Sequence, residues 1–232
     1  MKHEDTLLAA VAGFVDTLSF VALFGLFTAH VTGNFVLIGA GAGAAGSGQG
    51  LLLKLAVFPA FVAGVAGSSL LVRALPVHHA RQGARLLHAA QAVLMFGFCL
   101  AGVAASPVGG PDDLAAVAAG MLGAFAMGVQ NAHPRLVARP GVPNTVMTGN
   151  VTQAILDAVD LLSPHLDSAA RAAVRARFSK MLPAIAAFAG GAVAGALGWR
   201  QFGFWALLAP TLALAWLAIF TDTREPAAAG RA

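Results

Sequence analysis

A chain of 232 residues that is 58% hydrophobic and 10% charged, with a mean hydropathy of +0.78, is too apolar for a soluble domain of its size. The composition indicates an all-α polytopic membrane protein: one membrane domain over residues 1–232, about six to eight helices that cross or enter a bilayer, and no segment left for a soluble domain. A formal charge of +4 and a pI near 10.2 would suit a nucleic-acid binder, but the Lys and Arg residues sit in short connections between apolar runs. That is the orientation signal of membrane proteins, so the expected partner is the lipid bilayer and not a nucleic acid.

The first apolar segment, about residues 6–27, follows Glu4 and Asp5 and is interrupted by Asp16, which marks an uncleaved span and not a signal peptide. A carboxylate this deep costs roughly 2.5 to 3.5 kcal/mol on insertion scales, so it needs partners. Gly13 and Ser19 share its helical face, which turns Asp16 into the bundle toward a hydroxyl, an amide or the start of the next segment. Such a residue suits a proton carrier or cation ligand. The alternative is a hydrogen-bond acceptor that only holds the next segment in place.

That next segment, about 32–46, opens with "TAHVTGNFVLIGAG". Thr32 is a good N-cap, Gly33 lets backbone come close, and Asn34 and the neighbouring His30 add polar groups. The apolar core here is short, roughly 12 to 15 residues, and falls below a full crossing. "GSGQG" at 46–50 reads as a flexible loop, since no strand precedes it as a dinucleotide fingerprint requires. A third segment covers about 51–74, with Lys54 near its start placed to snorkel to the interface.

The fourth, about 84–105, carries Gln91 and the single cysteine, Cys99, so neither an intrachain disulfide nor a cysteine metal site is possible. "SPVGGPDD" turns the chain, and Asp112 or Asp113 can cap a fifth segment over about 113–133. Its Gly120, Ala124 and Gly128 form a packing stripe. It ends in Gln130, Asn131 and His133; Asn131 cannot titrate, and His133 before Pro134 reads as a helix-end residue at the interface and not as a ligand.

A sixth segment, about 145–162, is again short and carries a second Thr-Gly-Asn, Thr148-Gly149-Asn150, 116 positions after the first. Gln153 and Asp157 are secondary lining candidates. "PHLDSAARAAVRARFSK" then reads as a separate amphipathic surface helix, followed by segments at about 180–199, with the small pair Gly191 and Gly195, and about 203–220, and a polar tail at 221–232.

The halves 6–105 and 113–220 share landmarks in one order: "GFVD" against "GVQN", TGN against TGN, and "FPAFVAGVAG" against "LPAIAAFAGGAVAG". This points to an internal duplication. Arg73, Arg81 and Arg85 with His78, His79 and His88 lie in one connection, and Arg171, Arg175, Arg177 and Lys180 in another. Both clusters stay on one side, with Arg135 and Arg139, only if the two TGN segments dip in and return. The expected architecture is therefore six spans plus two re-entrant helices. Each half then has three crossings and the second is inverted, as in transporters and channels.

The two TGN ends would then point Thr32, Asn34, Thr148 and Asn150 at a common site, where helix N-termini attract an anion or carboxylate. The bland alternative is that each TGN merely caps a short helix, worth about 1 kcal/mol. The sequence holds no nucleophile elbow, zinc-binding His pair or phosphate loop, so no enzyme, metal or cofactor is expected.

"GFVDTLSFVALFGLFTAHVTGNFVLIG" and "AMGVQNAHPRLVARPGVPNTVMTGNVTQAI" resemble the YoaK-like family of bacterial multi-pass membrane proteins, known as domain of unknown function 1275, over about residues 8–220. The matching residues are Asp16, Thr32, Gly33, Asn34, Gln130, Asn131, Thr148, Gly149 and Asn150. The resemblance implies a bacterial inner membrane and brings no substrate. Together these residues, with His30, form the expected site of a transporter or channel for an unknown small polar or anionic solute, both termini being cytoplasmic. The competing expectation is a non-transporting scaffold or sensor subunit, with a membrane enzyme third; oligomeric state is not legible.

Overall fold

A computed structural model describes residues 4–43, 50–75, 80–137 and 145–221, the side chains of Ala80 and Arg81 excepted. The described residues are almost wholly helical and contain no strand: α1 (Glu4–Ala22), α2 (Gly33–Gly43), α3 (Leu51–Arg73), α4 (Ala80–Ala105), α5 (Leu114–Leu136), α6 (Met147–Leu162), α7 (Ser168–Phe202) and α8 (Leu208–Phe220). His78, His79, Arg139, the loop 46–49 and the tail beyond Thr221 lie outside the described residues, as does the side chain of Arg81.

Five stretches are long and apolar enough to cross a membrane: Glu4–Ala22, Leu51–Arg73, Gln82–Ala105, Leu114–Leu136 and Ser168–Phe220. The last has 53 residues, far more than the roughly 20 that one crossing needs. It is broken by Gly203, at φ 57°, and a 3-10 turn over Gly203–Leu207, and so contains two crossings.

End contacts fix the directions. Lys54 Nζ, one turn into α3, donates to the Phe24 carbonyl just past α1 at 3.4 Å, and a Cβ on Gly50 would touch Pro111 before α5. So α1 ends where α3 and α5 begin, at what we call the Pro111 end. At the opposite, terminal end, His88 of α4 meets Glu4 at 3.1 Å, and Arg85 donates to the Thr221 carbonyl at 3.0 Å. There α1 and α4 begin and α8 finishes. Gly191 lies against Ala10 and Gly195 against Phe14, so α7 runs parallel to α1.

The TGN helices do not cross. Between the neighbouring ends of α1 and α3 the chain dips inward, is caught at the level of Asp16, and returns through α2 to the Pro111 end. The second dip enters from the terminal end. Asn131 of α5 holds Thr145, and the far end of α6 is gripped by Arg171, which donates to the Leu161 and Ser163 carbonyls, both at 2.6 Å.

Two helix pairs dominate the packing, α1 with α7 and α3 with α5. Each is made by glycines that let backbones touch: Gly13 against the Phe188 carbonyl and Gly191 against that of Ala10, then Gly128 against the Phe61 carbonyl and Gly64 against that of Phe125. Around this frame, large apolar side chains such as Leu70, Val93, Leu212 and Ile219 are exposed, which is the surface lipid covers.

Three expectations are corrected. The basic stretch before residue 180 is helical and largely exposed, as expected, but it is not set apart from the segment at 180–199: capped by Asp167, which accepts from Ala170 N at 2.7 Å, it continues through Pro183 as the first half of the 35-residue α7. Lys54 does not snorkel; it is buried and folds onto the Phe24 carbonyl. Gln153 and Asp157 line no described cavity, because Asp157 is buried against α7, where Arg177 and Gln153 both donate to it. Those bonds, Arg177 first, hold its carboxyl below the ordinary value despite burial.

With Cys99 replaced by Ala, single cysteines at Asp112 and Ser168 should react with a membrane-impermeant thiol reagent from opposite faces. Labelling from the same face would mean that α6 crosses. Gly191→Val should lower stability by about 1 to 3 kcal/mol by overpacking on α1. Gly190→Ala, where a Cβ meets nothing within 4 Å, should gain up to about 1 kcal/mol of helix propensity. Thermal midpoints in detergent distinguish the two.

Candidate functional site

The first dip begins where Phe24 and Gly25 both take positive φ, 53° and 78°, and reverse the chain after α1. The returning strand of loop exposes backbone N–H groups that helix geometry would otherwise pair. Asp16 accepts them: its Oδ1 receives Thr28 N and Ala29 N at 2.8 Å each and His30 N at 3.5 Å. Its Oδ2 lies 2.7 Å from His30 Nδ1. Ser19, on the same helical face, shares a 3.0 Å hydroxyl bond with Thr28. Asp16 therefore realises the hydrogen-bond acceptor that the sequence offered as one of its two roles.

Asn34 closes the loop through a two-way bond with Phe27, accepting from its N at 3.0 Å and donating to its carbonyl at 2.7 Å. Gly33 is needed because a Cβ there would press on the Phe27 ring at 2.9 Å. The bond to Asp16 raises the His30 pKa above its ordinary 6.5 and outweighs burial, which pulls the other way. The ring also stands edge-on to Phe188, with centroids 5.6 Å apart.

The second loop uses neutral groups for the same task. Asn131 Nδ2 donates to Thr145 Oγ1 at 2.8 Å, while its Oδ1 accepts from Arg135 at 3.0 Å. Thr148 is not the N-cap of α6: Val146 occupies that position without a side-chain bond, and Thr148 lies inside the first turn. Asn150 turns back into the packing beside Met147, and Gly149 is exposed.

The two loops enclose a cavity of about 300 Å³, whose polar lining is His30, Thr32, Asn131, Thr145 and Thr148. Phe58 and Phe61 close its apolar side. An adjoining cavity of about 410 Å³ shares His30 and Thr148 and adds Asp16 and Thr17. Of the sequence candidates, Asp16, His30, Thr32, Asn131 and Thr148 are thus brought together. Gly33, Asn34, Gly149 and Asn150 shape or flank the loops without lining either cavity.

Gln130 lies elsewhere, fully buried, where it donates to the Leu8 carbonyl and accepts from Gln91, both at 2.7 Å. Thr145 escaped the sequence reading; the available signal was a threonine three or four positions ahead of each TGN, Thr28 in one half and Thr145 in the other. His133 is no interface residue either. It is buried with its ring stacked on His88, centroids 4.4 Å apart, beside Glu4. Among the described residues, Glu4, His88 and His133 are the group whose donor atoms lie close enough to hold a metal ion.

A bundle with two half-helices dipping from opposite ends to one polar cavity is a polytopic α-helical membrane protein of re-entrant-loop architecture. Residues 6–220 match the sequence profile of the protein family of unknown function DUF1275, and the chain belongs to that family. No curated protein and no solved structure matches it.

Asp16→Ala should free the 27–31 loop, since bonds to a charged acceptor contribute about 1.5 to 3 kcal/mol. Hydrogen exchange at Thr28 and Ala29 should rise more than tenfold, and less in Asp16→Asn, which keeps one acceptor oxygen. Because the folded-state pKa of His30 is raised, its contribution is complete below the ordinary value of 6.5 and fades as pH climbs through the higher folded value. The thermal-midpoint gap between wild type and His30→Gln should accordingly narrow on going from mildly acidic to alkaline pH; a gap that widens would contradict the pairing.

Proposed function

We propose that the protein is a transporter or channel for a small polar or anionic solute, bound in the cavity between the TGN loops. One observation carries this reading: two loops from opposite ends of the bundle present hydroxyl, amide and imidazole groups to a single space. Both half-helices start there, so the partial positive charge of their N-termini adds to His30, while the Asp16 oxygens are already engaged by the loop. The volume lies at the lower limit of small-molecule sites, roughly 300 to 1,000 Å³.

In this reading the halves 6–105 and 113–220 descend from one duplicated unit, with Asp16 and Asn131 as equivalent loop holders. The reciprocal contacts of Phe61 and Gly64 with α5, and of Phe188 and Gly191 with α1, support that descent. Arg73, Arg85, Arg135, Arg171 and Arg175 collect toward the terminal end, which therefore faces the cytoplasm of a bacterial inner membrane. The protein acts without catalysis. The second reading, a scaffold or sensor subunit, draws on the fact that Asp16 and Asn131 both spend their polar atoms on local structure.

Proteoliposomes tested by stopped-flow light scattering with glycerol, urea, formate, acetate and glycine should pass at least one of these faster than protein-free vesicles. Asn131→Leu with Thr148→Val should cut that rate about tenfold, the effect of roughly 1.4 kcal/mol, with helix content intact. A folded double variant with unaltered flux would remove the cavity from the pathway. If none of the five solutes crosses and a second membrane protein co-purifies, the scaffold reading replaces this one.

A further inference from the structure

We infer that Glu4, His88 and His133 form a binding site for a divalent first-row transition-metal ion of the zinc type, independent of the solute cavity. The three residues come from the first turn of α1, the terminal end of α4 and the last turns of α5. They are 6%, 1% and 6% exposed. Glu4 Oε1 lies 3.1 Å from His88 Nε2 and 3.6 Å from His133 Nε2, and one donor atom of each residue falls within 4.8 Å of the others. Zinc bonds of about 2.0 to 2.1 Å to nitrogen and oxygen give a tetrahedral edge of about 3.3 Å between ligand atoms. The two Glu4 distances bracket that edge.

Two imidazoles and one carboxylate are a donor set suited to zinc, cobalt, nickel or iron, and poorly suited to magnesium or calcium, which favour all-oxygen shells. His88 presents Nε2 to Glu4, while its buried Nδ1 has no hydrogen-bond partner among the described residues.

The helices are held in register for the task. One helical turn further into the bundle, the same three helices are joined again by Gln91, Gln130 and the Leu8 carbonyl, with bonds of 2.7 Å. That layer fixes the backbones from which the ligands project, and an ion in the triad would tie α1, α4 and α5 together at the terminal end.

The test uses full-length protein in detergent, stripped with chelator and titrated with Co²⁺. About one equivalent should bind with visible d–d bands and be displaced by Zn²⁺, and Zn²⁺ but not Mg²⁺ should raise the thermal midpoint. His88→Gln with His133→Gln should abolish both effects at unchanged helix content, which also controls for surface histidines. Absence of Co²⁺ uptake by wild type, or full uptake by the folded double variant, overturns the site. If the double variant does not fold, Glu4→Gln decides: affinity should fall at least tenfold, and unchanged affinity overturns the proposal.

Discussion

Irregular backbone inside a membrane is tolerated only where each N–H and C=O finds a partner, because no water is present to supply one. The bond network of Asp16 meets that constraint for the first dip. One carboxylate oxygen gathers backbone donors of Thr28, Ala29 and His30, and the other orients the His30 ring. Everything that follows in this half depends on it. Without a charged acceptor at that depth the chain would have to stay helical or leave the bilayer, α2 would start elsewhere, and Thr32 would not reach the cavity. The insertion penalty of a carboxylate thus becomes intelligible as the condition for bending the chain at all.

The second dip solves the same problem with weaker chemistry and more packing. Asn131 supplies one neutral bond to Thr145, but α6 is longer than α2, packs along α7 and is held there by buried Asp157 paired with half-exposed Arg177 and by Arg171. By contrast, α2 buries only Asn34 among its 11 residues. A loop held by a carboxylate can carry a lightly packed helix; a loop held by an amide is accompanied by a helix anchored elsewhere. This asymmetry separates the halves more than the Asp-to-Asn exchange alone implies.

Periodicity and composition made the fold legible because membrane helices need little else. The short apolar cores of α2 and α6, the Asp113 cap and the glycine stripes all expressed local rules that the structure obeys. What stayed hidden depended on register between distant helices. In the proposed duplication, the reciprocal contacts would pair Phe61 and Gly64 with Phe188 and Gly191, three residues out of step with Pro59 and Pro183. Prolines persist inside long helices, so they mark a helix without marking its depth. His133 was misread for the same reason, since its burial comes from α4 and α1, more than 40 residues away. Of the two TGN motifs, the threonines line the cavity and the asparagines do not: Asn is as able to fold back on its own loop as to face a ligand, and Asn34 does the former.

The seam between the two glycine-packed pairs links the cavity and the triad. The α1–α7 pair and the α3–α5 pair each join one helix from either half, so each behaves as a tightly packed unit. Between them α1 and α5 approach at few backbone positions; the units meet through side chains of one shared apolar core, with polar bonds of Gln130 to Leu8 and of His133 with Glu4 toward the terminal end. The cavity between the TGN loops opens along the same seam, with His30 on one unit and Phe58, Phe61 and Asn131 on the other. Close-packed backbones resist sliding, whereas a few polar bonds re-form at small displacement. Under the proposed transport function, movement exposing the cavity alternately to the two ends would fall at this seam, and an ion held by Glu4, His88 and His133 would pin it at the terminal end.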